Sequence, residues 1–203
     1  MISVKELTIN YGDTSVISDF SAEIPTGKIT AITGRNGAGK STLLAAIAGE
    51  LSIAAGSIEI NGQAISETPK KDLSKLLSLA QQSHNYWMAY SVREIMWLGH
   101  ESVSQARCDE LVDALAIGEF FDQSVTTLSG GQLQRVEIAR SLMRELPLVL
   151  LDEPFASQDL KSIAAITELI QREKNSGKTF VIVTHARDED LSWCDQIINL
   201  DLR

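Results

Sequence analysis

The stretch Ile29-Thr30-Ala31-Ile32-Thr33-Gly34-Arg35-Asn36-Gly37-Ala38-Gly39-Lys40-Ser41-Thr42-Leu43-Leu44-Ala45-Ala46-Ile47-Ala48-Gly49 decides the fold. Ile29–Thr33 reads as a short buried strand, and residues 41–48 as a helix closed by Gly49. The glycine-rich loop between them fits the spacing G-x-x-x-x-G-K-[ST] from Gly34 to Ser41. Gly37 and Gly39 let the backbone turn tightly, so that successive N–H groups point inward and form a nest for an anion. The following helix adds its positive end. Lys40 is placed to neutralise terminal phosphates and Ser41 to offer a hydroxyl to Mg²⁺. The loop residues Gly34, Arg35, Asn36, Gly37, Ala38, Gly39, Lys40, Ser41 and Thr42 are therefore the candidate phosphate site.

Outward from this unit the pattern changes. Val4, Leu7 and Ile9, the stretch Ile17–Ile24, and Gly56-Ser57-Ile58-Glu59-Ile60-Asn61-Gly62 show period-two character and predict an antiparallel sheet with one wet face. Toward the C-terminus, Leu148-Val149-Leu150-Leu151 and Thr179-Phe180-Val181-Ile182-Val183-Thr184 are apolar runs of the parallel, doubly covered kind. A helix is predicted from about Leu160 to Lys174 and a last strand over Gln196–Leu200. The expected class is α/β: a mainly parallel core sheet with an N-terminal antiparallel β subdomain.

Leu148–Leu151 runs into Asp152-Glu153-Pro154, which delivers two carboxylates at a strand's carboxyl end, where open α/β sheets bind ligands. Asp152 can hold the Mg²⁺ shell, and Glu153 can orient or deprotonate an attacking water. Two solvated acids capping a turn are the plainer reading of the same residues.

Residues 83–145 look helical and insert between the two α/β halves. Ser91 is placed to cap a helix bearing Val92, Ile95, Met96 and Leu98. Residues 106–116 and 131–145 follow the 3.6-residue period. In the latter, Leu133, Val136, Ala139, Leu142 and Met143 define the inner side, while Gln134, Arg135, Glu137, Arg140 and Arg144 are expected to point mostly away. Leu128-Ser129-Gly130-Gly131-Gln132 opens that helix, with Ser129 as N-cap and two glycines exposing the first amides. This second anion-gripping helix start admits two readings. It is a plain helix start after a loop, or it closes on the nucleotide of a second copy in a head-to-tail pair.

The 203 residues carry a net charge of −9 and no basic cluster, so the electrostatic footprint of a nucleic-acid binder is missing. Cys108 and Cys194 are spaced for neither a disulfide framework nor a zinc site and read as free thiols. The N-terminus lacks a signal-peptide pattern, and no apolar run approaches the ~20 residues that span a bilayer. Any membrane role is expected to come through a partner.

The glycine loop, Leu-Ser-Gly-Gly-Gln, Leu-Leu-Asp-Glu-Pro and the pair Thr184-His185 follow the order and spacing of the ATP-binding cassette (ABC) family, which the chain resembles over essentially its whole length. The resemblance implies a single P-loop NTPase domain over residues 1–203, with the helical signature subdomain at about 83–145. It implies ATP and Mg²⁺ as ligands, ATP hydrolysis, an ATP-dependent head-to-tail homodimer and a separate membrane permease. The chain would then be cytoplasmic, on the inner face of the membrane through that permease. The resemblance places Tyr11 against adenine and makes His185 the switch histidine at the γ-phosphate. It implies that Ser129, Gly130, Gly131 and Gln132 close on the partner's nucleotide, and that Asp159, the aspartate of the loop crossing the dimer interface, contributes to that binding. Gln81, at the end of Leu76–Ala80, corresponds to the glutamine sensing Mg²⁺ and water, with Gln82 the alternative. His84 and His100 read as surface histidines.

Three positions depart from the family pattern: Gln158 where an apolar residue is usual, Ala186 where aspartate is common, and Arg35 for a frequent proline. Tyr86, Trp87, Met88, Tyr90 and Trp97 either pack the helical subdomain or line the groove that receives the permease. Residues 69–75 and 91–100 look most like cassettes of iron-chelate, haem and cobalamin importers, with zinc or manganese import and lipoprotein export as alternatives; an importer would add a substrate-binding protein as partner. A soluble ABC ATPase of DNA repair or translation, or an exporter-type cassette, is the competing expectation.

Overall fold

The computed structural model describes residues 1–12, 14–81, 86–100 and 102–201. Gln82 and His84 lie outside them. Strands β1 (Ile2–Tyr11) and β2 (Thr14–Ile24) form a hairpin, followed by β3 (Ile29–Thr33) and helix α1 (Lys40–Ile47). Next come β4 (Ala55–Ile60), β5 (Gln63–Ala64), the single turn α2 (Lys70–Leu73) and β6 (Leu77–Ala80). Helices α3 (Val92–Trp97), α4 (Gln105–Ala114) and α5 (Gly130–Met143) precede β7 (Leu148–Asp152), α6 (Leu160–Asn175), β8 (Thr179–Val183) and β9 (Gln196–Asn199).

The strands divide into two sheets. β2-β1-β4-β5 is antiparallel, and β6-β7-β8-β3-β9 is parallel throughout. Both were expected from the sequence, and the physical reason is the period. Along the parallel strands alternate residues enter different cores. Leu148, Leu150, Val181 and Val183 join Leu43, Leu44 and Ile47 of α1 and the buried face of the antiparallel sheet, including Leu7, Ile9, Ile17 and Ile58. Val149, Leu151, Phe180 and Ile182 face the opposite way, onto α3, α4, α5 and α6. In the antiparallel sheet the polar side chains Lys5, Glu6 and Asp19 stay exposed.

The helical region is tied down by polar groups at its ends. Ser91 and Ser129 each form a reciprocal capping box, with Glu94 and Gln132 respectively. The Arg135 guanidinium donates to the Leu115 carbonyl (2.9 Å) just beyond α4 and stacks over Phe120. One buried ion cluster spans three helices. The Glu173 carboxylate of α6 accepts from Arg107 of α4 (2.8 Å) and from Lys178, while Arg107 also donates to the Leu142 carbonyl of α5 (3.1 Å).

The expectation that the polar residues of α5 point away is corrected at two positions. Gln134 and Glu137 are buried, at 5% and 4% exposure. Each has a partner that makes burial tolerable. Gln134 donates to the Asp152 carbonyl at 3.3 Å, and Glu137 accepts from the Tyr86 hydroxyl and from Arg140. Tyr86, Tyr90 and Trp97 pack against the helical core, whereas Trp87 and Met88 are exposed at 94% and 59%. Among the described residues no helix is long and apolar enough to cross a membrane.

Candidate functional site

β7, β8 and β3 are neighbours in the parallel sheet, so the segments that follow them open on the same carboxyl edge. These segments are the glycine loop after β3, Asp152-Glu153 at the end of β7, and Thr184-His185 after β8.

The loop takes the shape its glycines allow. Gly37 and Gly39 have φ of 84° and 90°, in the left-handed region that favours glycine. Gly39 caps α1 with its own carbonyl accepting the Leu43 N–H at 2.8 Å. A β-carbon on Gly39 would lie 3.0 Å from Ile17, so β2 forms the floor of the loop. Lys40 is buried, and its Nζ donates to the carbonyls of Gly34 (2.9 Å) and Arg35 (3.1 Å). The ammonium thus sits within the curl of the loop. Arg35 and Asn36 are exposed, and Ala38 and Thr42 half-buried.

Ser41 Oγ donates to Asp152 Oδ1 at 3.0 Å. Burial pushes the Asp152 carboxyl above its ordinary pKa, and the Glu153 charge adds to this. The Ser41 hydrogen bond and the Lys40 charge act in the opposite direction. Among the described residues no group of three or more His, Cys, Asp or Glu side chains could by itself hold a metal ion. A two-oxygen donor set still fits Mg²⁺, which keeps several waters and takes its remaining ligands from phosphates.

Glu153 is buried, with a backbone φ of 50° and its N–H donating to the Val183 carbonyl at 2.9 Å. Left-handed backbone at a residue with a β-carbon is strained, and such strain concentrates at functional sites. Its Oε2 stands 2.8 Å from Nδ1 of the largely exposed His185. Gln81 leaves the end of β6 and donates to Glu50 (3.0 Å), beyond the C-terminus of α1. Tyr11 is exposed at the end of β1, on the hairpin whose second strand floors the loop.

Ser129, Gly130, Gly131 and Gln132 form the first turn of α5. Ser129 Oγ accepts from the Gln132 N–H (3.2 Å), and the Gln132 side chain accepts from the Ser129 N–H (2.9 Å). Gly130 is open to solvent, but Gly131 is buried against the chain. Asp159 caps α6, accepting the Ser162 N–H at 2.7 Å, and that hydrogen bond holds its carboxyl below the ordinary range.

Two contributors were missed in the sequence. Gln134 reaches from α5 to the backbone of Asp152. Asp201 accepts the Arg35 N–H at 2.7 Å, a bond that proline at position 35 would forbid. The non-proline at position 35 was the available signal for Asp201. Gln134 gave none.

Comparison with known proteins identifies the family. A family model described as ABC transporter matches residues 17–156. The zinc transport system ATP-binding protein TroB of Treponema pallidum is 33% identical over the whole chain and 79% of its own length. The iron(3+)-hydroxamate import ATP-binding protein FhuC of Bacillus subtilis is 34% identical, over 91% of this chain and 72% of its own. Among solved structures, a bacterial ABC transporter cassette determined as a dimer aligns with TM-score 0.88 and 27% identity, over 98% of this chain and 94% of that one. A bacterial Atm1-family ABC exporter with ATP bound aligns with TM-score 0.89 and 26% identity, over 98% of this chain and 36% of that one. With its parallel P-loop core, its antiparallel sheet and these relatives, the chain belongs to the ABC transporter family, as the ATP-binding and ATP-hydrolysing subunit of a transporter.

Proposed function

We propose that residues 1–203 form one cassette, with the helical segment at about 83–145 as its inserted subdomain, that drives import through a separate membrane permease. The loop from Gly34 to Thr42 holds the phosphates of ATP, and Tyr11 stacks on the adenine. Ser41, Asp152 and Gln81 would hold Mg²⁺, which when bound neutralises phosphate charge. Glu153 orients water and takes its proton, and His185 sits at the γ-phosphate. Ser129, Gly130, Gly131, Gln132 and Asp159 complete the site of a second copy. The observation that carries this reading is the convergence on one sheet edge of the Lys40 loop, the Ser41–Asp152 pair and the Glu153–His185 pair.

For the cargo we propose an iron chelate, haem or cobalamin, delivered by a substrate-binding protein. Support comes from relatives of 31–34% identity named for iron-hydroxamate, hemin and petrobactin import. The exposed Trp87 and Met88 suit a docking face for the permease. Co-purification with the permease of the same transport system tests this part, and co-purification with nucleic acid instead overturns it.

Lys40→Ala removes a charged donor worth roughly 1.5–3 kcal/mol, so the Kd for ATP is expected to rise about 10- to 100-fold. Mixing it with a Ser129→Arg chain is expected to restore activity, because one composite site then has an intact loop and an intact signature turn. Phosphate release from the mixture checks this, and an inactive mixture overturns the shared site.

A further inference from the structure

We infer that Gln158 is a positioning residue that fastens the turn carrying Glu153 to the first turn of α5 in the same chain. The nucleotide gripped by one α5 thereby sets the geometry of that chain's own Glu153. The inference rests on the head-to-tail reading above.

The segment from Glu153 to Gln158 is not slack. The Ala156 N–H donates to the Glu153 carbonyl (3.0 Å) and the Gln158 N–H to the Phe155 carbonyl (3.3 Å), giving two overlapping turns. Glu153 and Ser157 both have positive φ, 50° and 58°. A shift at one end of such a segment is transmitted along it rather than absorbed. At its far end the Gln158 Nε2 donates to the Gly131 carbonyl at 2.9 Å. A β-carbon on Gly131 would lie 2.5 Å from the Ser157 carbonyl oxygen, so the two backbones are in direct contact there. At its near end Gln134 ties α5 to the Asp152 carbonyl. α5 therefore grips both ends of the segment that contains Glu153. An apolar side chain at 158 would keep the packing and lose the donor.

The test compares ATP hydrolysis by the full chain with Gln158→Leu and Gln158→Glu, the second nearly isosteric but unable to donate. Both are expected to lower kcat roughly fivefold, the worth of one hydrogen bond. Both should also bring the Hill coefficient from about two toward one. Binding of a non-hydrolysable ATP analogue to the single chain should not change, and the thermal midpoint should fall by no more than about 2–4 °C, the worth of the one lost hydrogen bond. Retention of full kcat and Hill coefficient by Gln158→Glu overturns the proposal, because the side chain then only fills space. A drop in kcat that tracks a drop in thermal midpoint, with the Hill coefficient unchanged, also overturns it. A wild-type chain with neither cooperativity nor an ATP-dependent dimer removes the head-to-tail reading itself. A cooperative wild type with both variants indistinguishable from it removes only the fastening.

Discussion

Glu153→Gln is expected to bind ATP normally while turning it over roughly 10²–10⁴ times more slowly, the usual worth of a positioned base. The substitution is nearly isosteric, and the backbone N–H bond to the Val183 carbonyl does not depend on the side chain. The loop around Lys40 and the Ser41–Asp152 pair also remain. What disappears is the carboxylate oxygen that stands 2.8 Å from His185 and would accept the proton of water. Phosphate release measures the loss. Size-exclusion chromatography with Mg²⁺ and ATP should show the variant accumulating as an ATP-bound dimer. Turnover at the wild-type rate removes Glu153 from the role of base.

The second large effect lies away from the site. Glu173→Gln is expected to destabilise the fold by about 3–5 kcal/mol, because it leaves the buried cations Arg107 and Lys178 without their common anion. The side chains of Arg107, Glu173 and Lys178 are only 10%, 5% and 9% exposed, so water screens little of the loss. A total stability of about 5–15 kcal/mol makes this a large fraction. Denaturant midpoints followed by tryptophan fluorescence measure it, and a change under 1 kcal/mol would sink the idea.

The same network has a definite pH dependence. Burial acts to raise the Glu173 pKa, but hydrogen bonds and charge from Arg107 and Lys178 outweigh it and hold the carboxyl below its ordinary value. A carboxyl depressed in the folded state stabilises fully above the unfolded value, about pH 4, and the contribution fades as pH falls through the folded value. The gap between wild type and Glu173→Gln should therefore narrow only in acid.

Local chemistry made most of the architecture readable. The loop from Gly34 to Ser41, the runs at 148–151 and 179–184, and the caps at Ser91 and Ser129 depend on residues near one another in the chain, so a linear reading reaches them. Gln134 and Glu137 were misplaced because periodicity records where a polar residue sits on a helix and not which distant group awaits it. Their partners, the Asp152 carbonyl and the Tyr86 hydroxyl, come from β7 and from the segment before α3. Gly131 raised the same difficulty. In the sequence it looks like an exposed amide at a helix start, and only the fold brings the Ser157 carbonyl against it. Contacts such as Glu153 with His185, 32 residues apart, follow from strand order, which the motifs do not state by themselves.

The left-handed backbone at Glu153 has an evolutionary corollary. Holding a residue with a β-carbon there costs about 1–2 kcal/mol, a penalty that glycine would escape. A lineage selected for thermal robustness alone would drift to glycine at 153 and become a sturdier, idle protein. Keeping an acid at that bend means accepting some fragility as a condition of being a motor.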